Sequence, residues 1–171
     1  MDVIRKLNNQ PILKRSIIYI AGFSVLYMLI IRPVRVHVND FIFRPKISQI
    51  AEENDHIMTS TSRRIDIKID DNGPPSGFGI PFGGYFWLPF SLFFALRYKS
   101  ILYGLISYHF FLLIVPPALT IHYIRGHLWA KSLLAINETV FLAIFLLSLF
   151  FGIKNIYTEW LKENIIKTYH N

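Results

Sequence analysis

Few residues in this chain could do chemistry, and Glu138 is the foremost. From Asn72 to Ile153 it is the only acidic side chain, with Arg97, Lys99, Arg125 and Lys131 the only bases. It falls about seven residues, roughly 10 Å, inside an apolar run spanning 131–152. An acid at that depth costs several kcal/mol unless it is paired or protonated, so it is a functional candidate by default. Two readings stay open: an interhelical strut, protonated or hydrogen-bonded, or a group that handles a proton or binds a partner. The backbone carbonyls freed by Pro116 and Pro117 are candidate acceptors for a protonated Glu138. Asn137 flanks it, and Asn137-Glu138-Thr139 matches a glycosylation sequon that a membrane span would make unusable.

The remaining candidates are weaker in type and spacing. His109 lies near the middle of another apolar run, where a lone histidine usually hydrogen-bonds between helices. His122, Arg125 and His127 flank a short loop on the Glu138 side. With Glu138 they could form a metal or proton site, but a His-x4-His spacing in a loop carries little metal specificity, and no metal or cofactor is read from it. Arg63-Arg64 beside Ser60, Thr61 and Ser62 is either an anion or headgroup site or a solvated hairpin turn. Gly79 and Gly83 have the spacing of a close helix crossing, with Pro81 between them as a counter-signal. The chain lacks the Gly-x-Ser-x-Gly, His-Glu-x-x-His and phosphate-loop motifs, and it contains no cysteine.

The elements that would position these residues belong to a membrane. The 171 residues are 53% hydrophobic, 16% aromatic and only 17% charged, with mean hydropathy +0.38. The net charge of +7 does not point to nucleic acid. Arg32–Asp71 balances its bases with acids, and the surplus sits at membrane-flanking ends and turns, where it meets anionic lipid.

The expected fold is membrane all-α, with four transmembrane helices. A basic N-terminus (1–15) precedes an uncleaved anchor (16–32), since no small-residue cleavage site follows the run. A small β-rich extracytoplasmic insert (33–79) follows. Within it Val34, Val36 and Val38 alternate as in a strand, while Phe41, Ile42, Ile47, Ile50 and Ala51 suit a helix. Ile65, Ile67 and Ile69 alternate with Asp66, Lys68 and Asp70 as a strand, with Met58–Arg64 as its hairpin partner. Asp71–Gly77 breaks regular structure.

The second span (80–97) opens on a proline-broken aromatic stretch and reads as irregular. The third (100–122) is interrupted at Pro116-Pro117 and the fourth covers 131–152. An amphipathic C-terminal helix (153–171) either lies on the interface or docks. Within it Glu163 and Lys167 are spaced for an ion pair. Positive charge favours both termini in the cytoplasm, probed on Arg5, Lys6, Lys14, Arg15, Arg97, Lys99 and the tail lysines. The expected location is a bacterial inner membrane.

This layout is similar to the small multi-pass proteins that accompany exosortase-type sorting enzymes in bacteria: a first anchor, an extracytoplasmic insert, a Pro81-Phe-Gly-Gly-Tyr-Phe-Trp-Leu-Pro89 stretch, then a hairpin of spans. Exosortases use a cysteine nucleophile, so the resemblance implies an accessory protein rather than the enzyme, and it carries over no functional residue. The expected function is a non-enzymatic accessory or assembly subunit, in contact with the bilayer and another membrane protein. The alternatives are a proton-coupled transporter using Glu138, and a membrane enzyme on a lipid-linked substrate using Glu138 with His122 or His127.

Overall fold

The computed structural model describes residues 11–60, 64–68, 76–79 and 85–169. The fold is mostly helical with one small antiparallel sheet. Three helices are long and apolar enough to cross a membrane: α1 (Ile12–Glu52), α3 (Lys99–Ile124) and α4 (Leu128–Tyr169). Between α1 and α3 lie β1 (Ile57–Ser60), β2 (Arg64–Lys68), β3 (Ser76–Gly79) and a ten-residue apolar helix, α2 (Trp87–Leu96).

The valine alternation at 34–38 forms no strand. Those residues belong to α1, which continues from the apolar run without a stop signal strong enough to end it. Pro33 and Pro45 would each clash with the carbonyl four residues back, at Leu29 and Phe41. Both carbonyls lie in widened π-helical turns, Tyr27–Ile31 and Asn39–Phe43, which absorb the clash and let the helix proceed. The buried residues Ile12, Ser16, Arg35, Asn39, Ile47 and Ala51 recur at four-residue spacing along it.

Two further expectations from proline also change. Pro89 falls in the first turn of α2, where a backbone N–H has no helical partner to lose, so the helix begins there without cost. Pro116 and Pro117 do not interrupt α3, which runs through both. Thr120 Oγ1 donates to the Pro116 carbonyl at 2.9 Å, and both rings are buried beside the sheet. The C-terminal segment is not a separate helix, because α4 is continuous across residues 152 and 153.

Helices α1, α2 and α3 end in one motif, each with a left-handed residue after the last turn. Gly126 (φ 87°) adopts this readily, whereas Asp55 (φ 57°) and Arg97 (φ 63°) carry a strain of about 1–2 kcal/mol each. In each the following N–H reaches back five residues: His56 to Ala51, Tyr98 to Phe93, and His127 to His122.

The sheet order is β1-β2-β3, antiparallel throughout, with Met58 opposite Ile67 and Ile65 opposite Phe78. Ile65 and Ile67 point into a core with Ile47 and Ala51 of α1, Leu119, Tyr123 and Ile124 of α3, and Ala130 and Leu134 of α4. A second cluster joins Phe86 and Phe93 of α2 to Leu102 and Leu105 of α3. At the far end Ile12, Leu92 and Ile156 meet, with Trp160 beside them. The tail face therefore docks through Ile156 and Trp160, while Ile153, Tyr157, Leu161 and Ile165 stay exposed.

Candidate functional site

Glu138 finds its partner on the sheet rather than on the α3 prolines. Arg64 Nη1 donates to Glu138 Oε1 at 2.6 Å, and Arg64 Nε donates to Asp66 Oδ1 at 2.5 Å. The strand makes this possible: Ile65 and Ile67 face the core, so Arg64, Asp66 and Lys68 share the opposite face. One guanidinium thus joins two carboxylates and ties β2 to α4. Of the Arg63-Arg64 pair, Arg63 and the neighbouring Thr61 and Ser62 lie outside the described residues. Arg64 itself is engaged by these two carboxylates.

The site is half-open, with side-chain exposures of 43% for Arg64 and 40% for Glu138. Hydrogen bonding to Asp66, with the charge of Glu138 behind it, holds the Arg64 guanidinium above its ordinary value. Because the folded value is raised, the stabilisation this cation contributes is fully present below that ordinary value and is lost only above it. The Arg64 contribution to stability is therefore expected to stay flat from about pH 7 to 10, as unfolding followed by circular dichroism would show.

The register of α1 against α4 resets the depth of Glu138. Both carboxylate oxygens of Glu163 accept from the Ile12 N–H at 3.0 Å, so the tail caps the first helix and Glu163 is engaged there. The side chain of Lys167 lies outside the described residues. Glu138 lies about 37 Å along α4 from Glu163. That brings it level with the Arg35–His37 turn of α1, just past the end of the apolar run at Arg32-Pro33. Packing of Phe94 on Phe23 and of Leu92 on Gly152 gives the same alignment.

The loop histidines do not join this site. His127 stands about 16 Å along α4 from Glu138. It faces His122, with ring centroids 5.6 Å apart and Trp129 against both. His122, Arg125 and His127 are all exposed. Among the described residues no group of three His, Asp or Glu is placed to hold a metal ion. Asn137 is half-buried beside Glu138. His109 is buried on α3, edge-on to Phe86 at 4.8 Å and stacked on Phe90 at 5.3 Å.

Three residues that sequence reasoning passed over matter here. His56 of the turn after α1 contacts the Ile124 carbonyl at 3.0 Å, pinning the sheet to the end of α3. Gly152 lets α2 lie against α4. Arg35 is buried within α1. In the sequence Arg35 reads only as a flanking base, four residues past the apolar Ile31.

The arrangement at Glu138 can clamp two elements together. Its exposed geometry predicts a modest energy: a double-mutant cycle on Arg64→Ala and Glu138→Gln, read by thermal unfolding in detergent, is expected to give a coupling of about 0.2–1 kcal/mol. A coupling of zero would mean the pair does not hold the sheet. No family model, curated protein or solved structure matches this chain.

Proposed function

We propose that this protein is a non-catalytic accessory or assembly subunit of a membrane protein complex. The observation that carries the reading is the pairing of Glu138 with Arg64. Both alternatives, proton-coupled transport and catalysis on a lipid-linked substrate, place their chemistry on Glu138. A carboxylate held by a charged guanidinium at a half-open surface is suited to fastening rather than to proton transfer.

The bilayer in this reading covers Ser16–Ile31 of α1 and Thr139–Ile153 of α4, two charge-free stretches that overlap along the axis but are offset by about 8 Å, counted from the Ile12–Glu163 cap. Each is about 22–24 Å long, so the hydrocarbon thins slightly around the protein. Helix α2 is the fourth inserted helix. Its described ten residues are about 15 Å long, so it reaches from mid-depth to the side that holds both termini. That side is cytoplasmic, because Arg15, Arg97 and the tail lysines gather there.

Beyond the apolar run, α1 still exposes Phe41 (70%) and Ile42 (56%). Outside hydrocarbon such side chains suit a protein contact. Accessory proteins of sorting enzymes are the class to test first. Purification of the tagged full chain in mild detergent is expected to bring down a second membrane protein. Phe41→Asp should reduce its recovery about tenfold, with helix content unchanged, while Glu138→Gln should leave it within about twofold. A monodisperse protein that purifies alone would overturn the reading, as would loss of all function in Glu138→Gln.

A further inference from the structure

Between α1, α2 and α3 lies an apolar cavity of about 320 Å³, lined among others by Phe23, Tyr27, Ile31, Trp87, Phe90 and His109. Its lining is almost wholly hydrocarbon. A sphere of that volume is about 8–9 Å across, too narrow for a helix of about 10–12 Å yet wide enough for a single hydrocarbon chain.

A second feature lies directly above it. Phe23, Tyr27, Ile31 and Arg35 recur every four residues on one face of α1, so Arg35 continues the cavity wall by one turn. Arg35 is 2% exposed. Its Nη1 donates to the Tyr27 hydroxyl at 3.2 Å, which turns the guanidinium back toward the cavity. Its Nε is buried without a hydrogen-bond partner, and among the described residues no carboxylate forms an ion pair with it. A guanidinium cannot shed its proton, and burying it beside a neutral phenol leaves its charge uncompensated at a cost of several kcal/mol.

We propose that this cavity binds one acyl chain of an anionic phospholipid, with the lipid phosphate on Arg35 and the Tyr27 hydroxyl. The two observations fit one molecule. An apolar slot within the bilayer accepts the chain, and the cation stands just past Arg32-Pro33, at the level where phosphates lie. Guanidinium is matched to phosphate by its forked donors, so the headgroup charge decides which lipid is retained. The site does not depend on whether the protein has a protein partner.

Trp87 on the cavity wall supplies the test. The full-length chain carrying Trp129→Phe and Trp160→Phe, so that Trp87 alone fluoresces, is reconstituted in phosphatidylcholine vesicles. Phosphatidylglycerol or phosphatidylcholine with brominated chains is then titrated in as quencher. Half-maximal quenching is expected at about five- to tenfold lower mole fraction for the anionic lipid.

Arg35→Gln should abolish that preference, and Tyr27→Phe should weaken it about twofold; the second keeps the test open where the first does not fold. Equal quenching by the two lipids overturns the proposal, as does a preference that survives Arg35→Gln. Displacement of the brominated lipid by a polyprenyl phosphate at tenfold lower concentration than by phosphatidylglycerol would also overturn it, by making an isoprenoid the occupant.

Discussion

Ile67→Asp is expected to release the three-stranded sheet from the helices while leaving those helices intact. Ile67 is fully buried, packed with Ile65 among Leu119, Tyr123, Ile124, Ala130 and Leu134. Arg64 and Lys68 stand on the opposite face of the strand, so neither cation of β2 shares the side of a carboxylate at 67. Burying an unpaired charge there costs at least about 3–5 kcal/mol. A small sheet has no stability of its own to oppose that loss. Amide exchange in 57–68 should therefore rise to the rate of an unstructured chain, with helix content by circular dichroism unchanged. Asp66→Asn, on the exposed face, is the control and should cost under about 1 kcal/mol. Persistent protection in Ile67→Asp would mean that the apolar face of β2 does not hold the sheet in place.

The same strand marks how far the sequence could be read. Ile65 and Ile67 alternating with Asp66 and Lys68 is a period-two pattern of β-branched residues, and a strand forms there. Its partner at 57–60 overlaps the start of the Met58–Arg64 stretch expected as the hairpin. The third strand, Ser76–Gly79, begins inside the Asp71–Gly77 stretch expected to break regular structure, and was hidden because two glycines outweigh the strand preference of Phe78. Hydrogen bonding to β2, rather than the composition of β3, makes it a strand. At Val34, Val36 and Val38 the same period-two signal misled, since a helix already under way extends at little cost and overrides local preference.

The candidate site was legible only in half. That Glu138 needed a partner followed from its isolation in an apolar stretch. That the partner is Arg64, a residue 74 positions away, depends on how the sheet folds back onto α4, and no local pattern encodes it. Counting from Lys131 places Glu138 well inside an apolar run of α4, whereas counting from the Ile12–Glu163 cap sets it level with the Arg35–His37 turn of α1. Arg35 looked like one more flanking base. Only the structure turns it inward onto Tyr27.

Gly152→Leu is expected to drive α2 away from α4 and lower the unfolding temperature by about 3–10 °C. A Cβ at position 152 would stand 3.0 Å from Leu92 Cδ1 and 3.1 Å from Leu92 Cβ. The second of these atoms is fixed to the backbone of α2 and cannot swing aside, so the helices must separate. Overpacking of this kind costs about 1–3 kcal/mol, and a chain of this size loses about 2–4 °C per kcal/mol. The strain falls on the cluster of Ile12, Leu92 and Ile156, where the start of α1 meets α2 and α4. Gly152→Ala should cost less, because a shift of a few tenths of an ångström suffices. Leu92→Ala alone should also destabilise, by leaving a cavity. Combined with Gly152→Leu it should recover part of the loss, since the new side chain fills the space vacated by Leu92 Cγ and Cδ while the close Cβ contact remains. Thermal unfolding in detergent reads all four proteins. Losses that simply add in the double variant would mean that Gly152 and Leu92 do not meet, and would remove the close crossing of α2 and α4.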